Sequence, residues 1–126
     1  MGIDLRLFLP NPILFNSKFK DTTLCHEHID LDRDSEIFEQ FDGFDGNKKA
    51  PIRGRAIPHK KMPIQICEDE GIQKYRTDPY GKKVRFVYPP DLKCLRLSSD
   101  TSPKNKAIKA FIDALPDDTP IILWWH

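Results

Sequence analysis

Residues 121–126 read IILWWH, and this run decides the fold. In an extended chain Ile121, Leu123 and Trp125 point to one side and Ile122 and Trp124 to the other. Both faces are therefore apolar. A strand covered on both sides belongs inside a sheet rather than at its rim, and its two tryptophans are read as core rather than as a ligand platform.

Upstream of it, SPKNKAIKAFIDAL (102–115) carries the clearest helix signal. Ser102 can cap the free amides of a first turn, and Pro103 suits the first helical position, where no amide partner is lost. Ala107, Ile108, Phe111, Ile112 and Leu115 recur at helical spacing, with Lys104, Lys106, Lys109 and Asp113 facing away. Pro116 stops the helix. A shorter helix over about 34–42 places Ile37, Phe38 and Phe41 together, capped by Asp34 or Ser35 and ended at Gly43.

Strand signals fill much of the remainder. In IDLRLFL (3–9), Ile3, Leu5, Leu7 and Leu9 alternate with Asp4, Arg6 and Phe8, the period of a half-buried strand. TLCHEHIDL (23–31) reads as a second strand. IQICEDE and GIQKYR read as short strands, and TDPYGKK turns into VRFVYP (84–89). Residues 42–63, with three glycines and three prolines, read as one long surface loop. The expected fold is a single α+β domain over 1–126: a mainly antiparallel sheet with the 103–115 helix on one face.

Bulk properties bound the function. The chain has 126 residues, 39% hydrophobic and 31% charged, which suits one globular core. Three cysteines (Cys25, Cys67, Cys94) without a C-x-x-C argue against a disulfide framework and are read as reduced core thiols. No apolar run is long enough to span a membrane. Asp4 and Arg6 interrupt the opening segment as a secretory signal, and Arg6 stands where a myristoylation motif wants Ser or Thr. A soluble, cytoplasmic protein is expected.

The chemistry-bearing stretch is DTTLCHEHIDLDRD (21–34). On a strand, His26, His28, Asp30 and Asp32 line one face, while Cys25, Glu27, Ile29 and Leu31 line the other. Two imidazoles at i and i+2 can reach one cation, and zinc accepts that donor set. His26, His28 and Asp30 are thus candidate ligands for zinc or another divalent metal. The alternative is a solvated strand face leading into an acidic helix start. A metallo-β-lactamase-like H-x-H-x-D-H pattern fails at Leu31. An EF-hand loop fails at Ser35, which replaces the glycine, and at Phe41, which replaces the bidentate glutamate.

DTTLCHEHI (21–29) resembles the first-strand signature G-x-T-L-x-H-E-H of phosphotriesterase-like metal hydrolases, with Asp21 in place of glycine. That resemblance implies a metal held by His26 and His28. It ends after nine residues, whereas those enzymes are (β/α)₈ barrels of about 250 residues whose other ligands come from later strands. The segments MGIDLRLFL, RDSEIFEQFDG and PIRGRAIP are similar to small bacterial and phage proteins that open Met-Gly-Ile/Leu-Asp. This second resemblance implies no activity and no site residues.

Charge is segregated along the chain although the net is +1. Nine acidic residues and one basic residue lie between Asp21 and Asp45, and six basic residues with no acid lie in KKAPIRGRAIPHKK (48–61). The candidate anion-binding residues are Lys48, Lys49, Arg53, Arg55, Lys60 and Lys61, joined by Arg76, Lys82 and Lys83 of an expected hairpin that also holds Tyr75 and Tyr80. Such a surface can track phosphates, with tyrosines stacking on bases, or meet an acidic protein. Alternatively, the acidic and basic segments fold against each other. No phosphate-loop, dinucleotide-binding or nucleophile-elbow motif is present. The leading expectation is a non-catalytic binding or regulatory domain that needs no cofactor and takes a protein or polyanion partner. The second is a divalent-metal protein, with hydrolysis as the reaction its chemistry would suit, since the metal would acidify a bound water.

Overall fold

The computed structural model of the protein describes residues 3–10, 15, 23–25, 27–44, 49–57 and 64–126. Among these, the strands are β1 (Leu5–Leu9), β2 (Thr23–Cys25), β3 (Glu27–Asp30), β4 (Arg55–Ala56), β5 (Ile64–Glu68), β6 (Gly71–Tyr75), β7 (Arg85–Val87) and β8 (Ile121–Trp125). The helices are α1 (Ser35–Phe38) and α2 (Pro103–Asp113), with a 3₁₀ turn at Pro89–Leu92. Five strands form an antiparallel sheet in the order β3-β1-β8-β7-β4, so β8 is the middle strand, as its two apolar faces require. The remaining three form a smaller sheet, β2-β5-β6, in which β2 and β5 run parallel. No helix among the described residues is long and apolar enough to cross a membrane.

The alternation of β8 divides the core in two. Ile121, Leu123 and Trp125 join Leu5, Leu7 and Val87 beneath Ile37, Phe38, Ile108 and Ile112, so both helices cover that face. On the opposite face Ile122 and Trp124 join Phe8 and Phe86 against Ile64 and Ile66 of the smaller sheet. The protein is thus layered: helices, large sheet, small sheet. This layering explains why Phe8, expected on the polar face of β1, is buried.

Helix α2 starts as its sequence dictates. The Ser102 hydroxyl accepts from the Asn105 amide at 3.1 Å, with Pro103 as the first helical residue. Ile108 and Ile112 face the core, but Phe111 is 43% exposed and Asn105 takes its place among the buried residues. The Asn105 side chain accepts from the Asp32 amide (2.8 Å) and donates to the Asp32 carbonyl (3.0 Å). It thereby closes the backbone of the segment joining β3 to α1, a function that apolar periodicity cannot register. Lys109, expected to face away, folds along the helix onto Asp113 at 2.7 Å. Asp34 caps α1 by accepting from the Ile37 amide, and Gln40 clasps the Arg96 backbone through both its carbonyl oxygen and its amide.

Three other expectations are corrected. The stretch 23–31 is two strands in two different sheets, because β2 pairs with β5 while β3 pairs with β1. The 42–63 loop is not wholly superficial: Ala50 and Ile52 are buried, Ile52 bridges to Phe41, and β4 adds an edge to the large sheet. Cys67 and Cys94 are exposed rather than core thiols.

Candidate anion-binding site

The charges that stand apart in sequence largely meet in space. On the face of β1 and β3 that turns toward the smaller sheet, register places Arg6 opposite Asp30, and the guanidinium grips both carboxylate oxygens at 2.6 and 3.3 Å. That bond holds the Asp30 carboxyl below its ordinary range. Arg33 similarly pairs with Asp4, and Lys104 lies 3.8 Å from Asp32. His28 is exposed, with its ring edge-on to Phe8 at 5.8 Å. Thus His28 and Asp30 share a face, as alternation requires, but Asp30 is already engaged by Arg6. His26, the third candidate ligand, lies outside the described residues. Among the described residues no group of three or more His, Cys, Asp or Glu side chains could hold a metal ion.

The basic candidates separate into two sets. Lys48, Lys60 and Lys61 lie outside the described residues, and Lys49 is exposed. Arg53 lies 3.6 Å from Asp42. Arg55 makes a two-pronged bond to Asp91 at 2.7 and 2.8 Å and lies over the Tyr88 ring. Asp91 also accepts from the Tyr88 amide, fixing the start of the 3₁₀ turn. The Arg55 bond first, and that amide in addition, lower the Asp91 pKa against an opposing effect of burial. A carboxylate whose folded pKa is depressed stabilises the fold above its unfolded value, near 3.8, and loses that contribution as pH falls through the folded value. Stability is therefore expected to fall more steeply below about pH 4 in the wild type than in Arg55→Gln. Urea titrations from about pH 6 to about pH 2 measure this; equal acid slopes would contradict it.

The second set sits on one turn. TDPYGKK (77–83) is closed by the Asp78 carboxylate, which accepts from the Tyr80 and Lys82 amides at 2.9 and 3.1 Å. Gly81 supplies a positive φ of 80° that side chains rarely adopt. A single bridge, Thr77 to Lys83, replaces the expected hairpin, because β6 and β7 enter different sheets. The turn leaves Lys82, Lys83 and Arg85 exposed at one end, with Lys74 and Arg76 on the incoming strand and bend. Lys82 reaches the Gly43 carbonyl at 3.4 Å. None of these five cations forms an ion pair among the described residues. Tyr80 is 49% exposed beside them, whereas Tyr75 packs inward on Trp124 and bonds Glu68.

Beneath this turn lies a pocket of about 390 Å³. Its floor is Leu123 and Trp125, and its rim includes Lys82, Lys83 and Arg85. Sheet register builds the combination directly, since Arg85 pairs with Leu123 across β7 and β8. Asp42, Gly43 and Asp78 complete the wall. A methyl group added at Gly43 would stand 2.6 Å from the Trp125 Nε1, so the wall can approach the indole only as glycine. Lys82, Lys83 and Arg85 are legible in the chain as cations of the basic stretch KYRTDPYGKKVR (74–85), but their placement over an apolar floor is not.

Comparison of the chain with protein-family models, with curated proteins and with solved structures finds no match.

Proposed function

We propose that this protein is a non-catalytic binding domain that takes an anionic polymer, with single-stranded nucleic acid as the best-fitting class, on the surface where the 77–85 segment presents Lys82, Lys83 and Arg85. One observation carries the reading. The cations of this segment make no ion pairs among the described residues, while Arg6, Arg33, Arg53 and Arg55 lie against carboxylates. An unpaired cation cluster offers counterion release to a phosphate backbone, whereas a guanidinium already bound to a carboxylate must first give up that partner. The exposed Tyr80 ring beside Lys82 adds a stacking surface for an unpaired base.

The test is retention on heparin and binding of a single-stranded oligonucleotide as salt is varied. Neutralising Lys82, Lys83 and Arg85 together to glutamine is expected to weaken binding by at least about tenfold and to reduce the salt slope by about 2. Arg55→Gln should leave both nearly unchanged. Salt-independent binding, or equal losses in both variants, would remove the assignment.

A further inference from the structure

The pocket under the basic turn has a composition that a surface for phosphates alone does not require. A bare polyanion needs cations and no apolar floor, yet Leu123 and Trp125 form the base of a cavity of about 390 Å³. This volume lies within the range of about 300–1,000 Å³ typical of small-ligand pockets. Two carboxylates, Asp42 and Asp78, also line the wall; one oxygen of each accepts from backbone amides, and Asp42 lies 3.6 Å from Arg53. Their other oxygens would repel a lone phosphate beside three cations, but they suit a ligand with N–H donors at one end and negative charge at the other. A nucleotide has that construction: a flat apolar ring system, hydrogen-bond donors on its edge and a phosphate.

We infer that the cavity is a nucleotide-binding pocket, with the base on the Leu123–Trp125 floor beside the Asp42–Gly43 wall and the phosphate at Lys82, Lys83 and Arg85. The inference deepens the binding reading above and rests on it for the phosphate site. The polymer reading needs only the unpaired cations, whereas the pocket also needs the apolar floor and the carboxylate wall. The base can come from a free mononucleotide or from one unit of a strand, and the test separates them.

The chain contains two tryptophans, and they lie on opposite faces of β8. Trp124→Phe therefore leaves Trp125 as the only indole reporter. The probes are adenosine 5′-monophosphate, adenosine, inorganic phosphate and a short oligodeoxyadenylate. Either the mononucleotide or the oligonucleotide is expected to quench Trp125 emission saturably, at least about tenfold more tightly than adenosine or phosphate. Lys83→Gln with Arg85→Gln should weaken that binding by at least about tenfold and leave adenosine binding unchanged. Quenching by the oligonucleotide alone identifies the source as a strand, and quenching by both admits free nucleotide. Oligonucleotide binding that never perturbs Trp125 would overturn the pocket while leaving the polymer reading intact. Inorganic phosphate binding as tightly as adenosine 5′-monophosphate would also overturn it. Should Trp124→Phe fail to fold, the two indole N–H resonances of the wild type provide the same readout, and the Trp125 resonance must shift.

Discussion

Trp125→Ala is expected to destabilise the protein by about 3–5 kcal/mol, a large fraction of the about 5–15 kcal/mol that holds a domain together. The indole is 5% exposed on the middle strand and is held by three rings, with centroids at 5.5 Å for Phe38, 5.9 Å for Phe41 and 5.8 Å for Phe44. These rings come from α1 and the segment just after it, so the indole joins the helical layer to the sheet. Its removal leaves a cavity that rigid β8 cannot collapse to fill, because β1 and β7 hold the strand on both sides. Urea unfolding checks the value, with Phe111→Ala as a control. That ring is 43% exposed and its loss should cost less than about 1 kcal/mol. A Trp125→Ala loss as small as the control's would mean that the ring is not packed as described.

The second large effect concerns a polar residue. Asn105→Ala should cost about 2 kcal/mol, because it strands the amide and carbonyl of Asp32 that the side chain now satisfies together. The Ser102 hydroxyl, besides capping α2, donates to the Asp32 carboxylate at 2.8 Å. The two residues therefore form one clamp between the start of α2 and the exit of β3. Their losses should be non-additive in a double-mutant cycle, by at least about 0.5 kcal/mol. Amide exchange at Asp32 should accelerate in Asn105→Ala before global unfolding does. Additive losses together with unchanged exchange would show that the clamp carries no energy.

These residues mark how far the sequence can be read. Trp125 is recognisable as core because the alternation of Ile121, Leu123 and Trp125 against Ile122 and Trp124 is local, and no other placement buries both sets. Asn105 is not, since it looks like an ordinary solvent position and acquires its meaning only from a backbone segment 73 residues away. The same distinction separates the two helical outliers. Phe111 has the right spacing but lies at the edge of the stripe that Ile108 and Ile112 bury, and Lys109 is drawn in by Asp113 one turn on.

The candidate site is legible in part for the same reason. Charge segregation is plain in the chain, but which cations remain unpaired is decided by partners distant in sequence: Arg55 meets Asp91 and Arg6 meets Asp30. The turn at 77–83 is readable from its Asp, Pro and Gly. The pocket beneath it is not, because its floor comes from β8 and one wall from Asp42 and Gly43.

By itself, then, the chain's periodicity determined that β8 lies inside a sheet, that α2 begins at a Ser-Pro cap, and that the class is α+β. Those properties depend on neighbours within a turn or a pleat. Only the tertiary structure decided that 23–31 divides between two sheets, that Phe8 is covered, and that cations stand over an apolar floor. Each of these requires segments far apart in sequence to be brought together, and the order in which strands pair is set by how the whole core closes rather than by any local pattern.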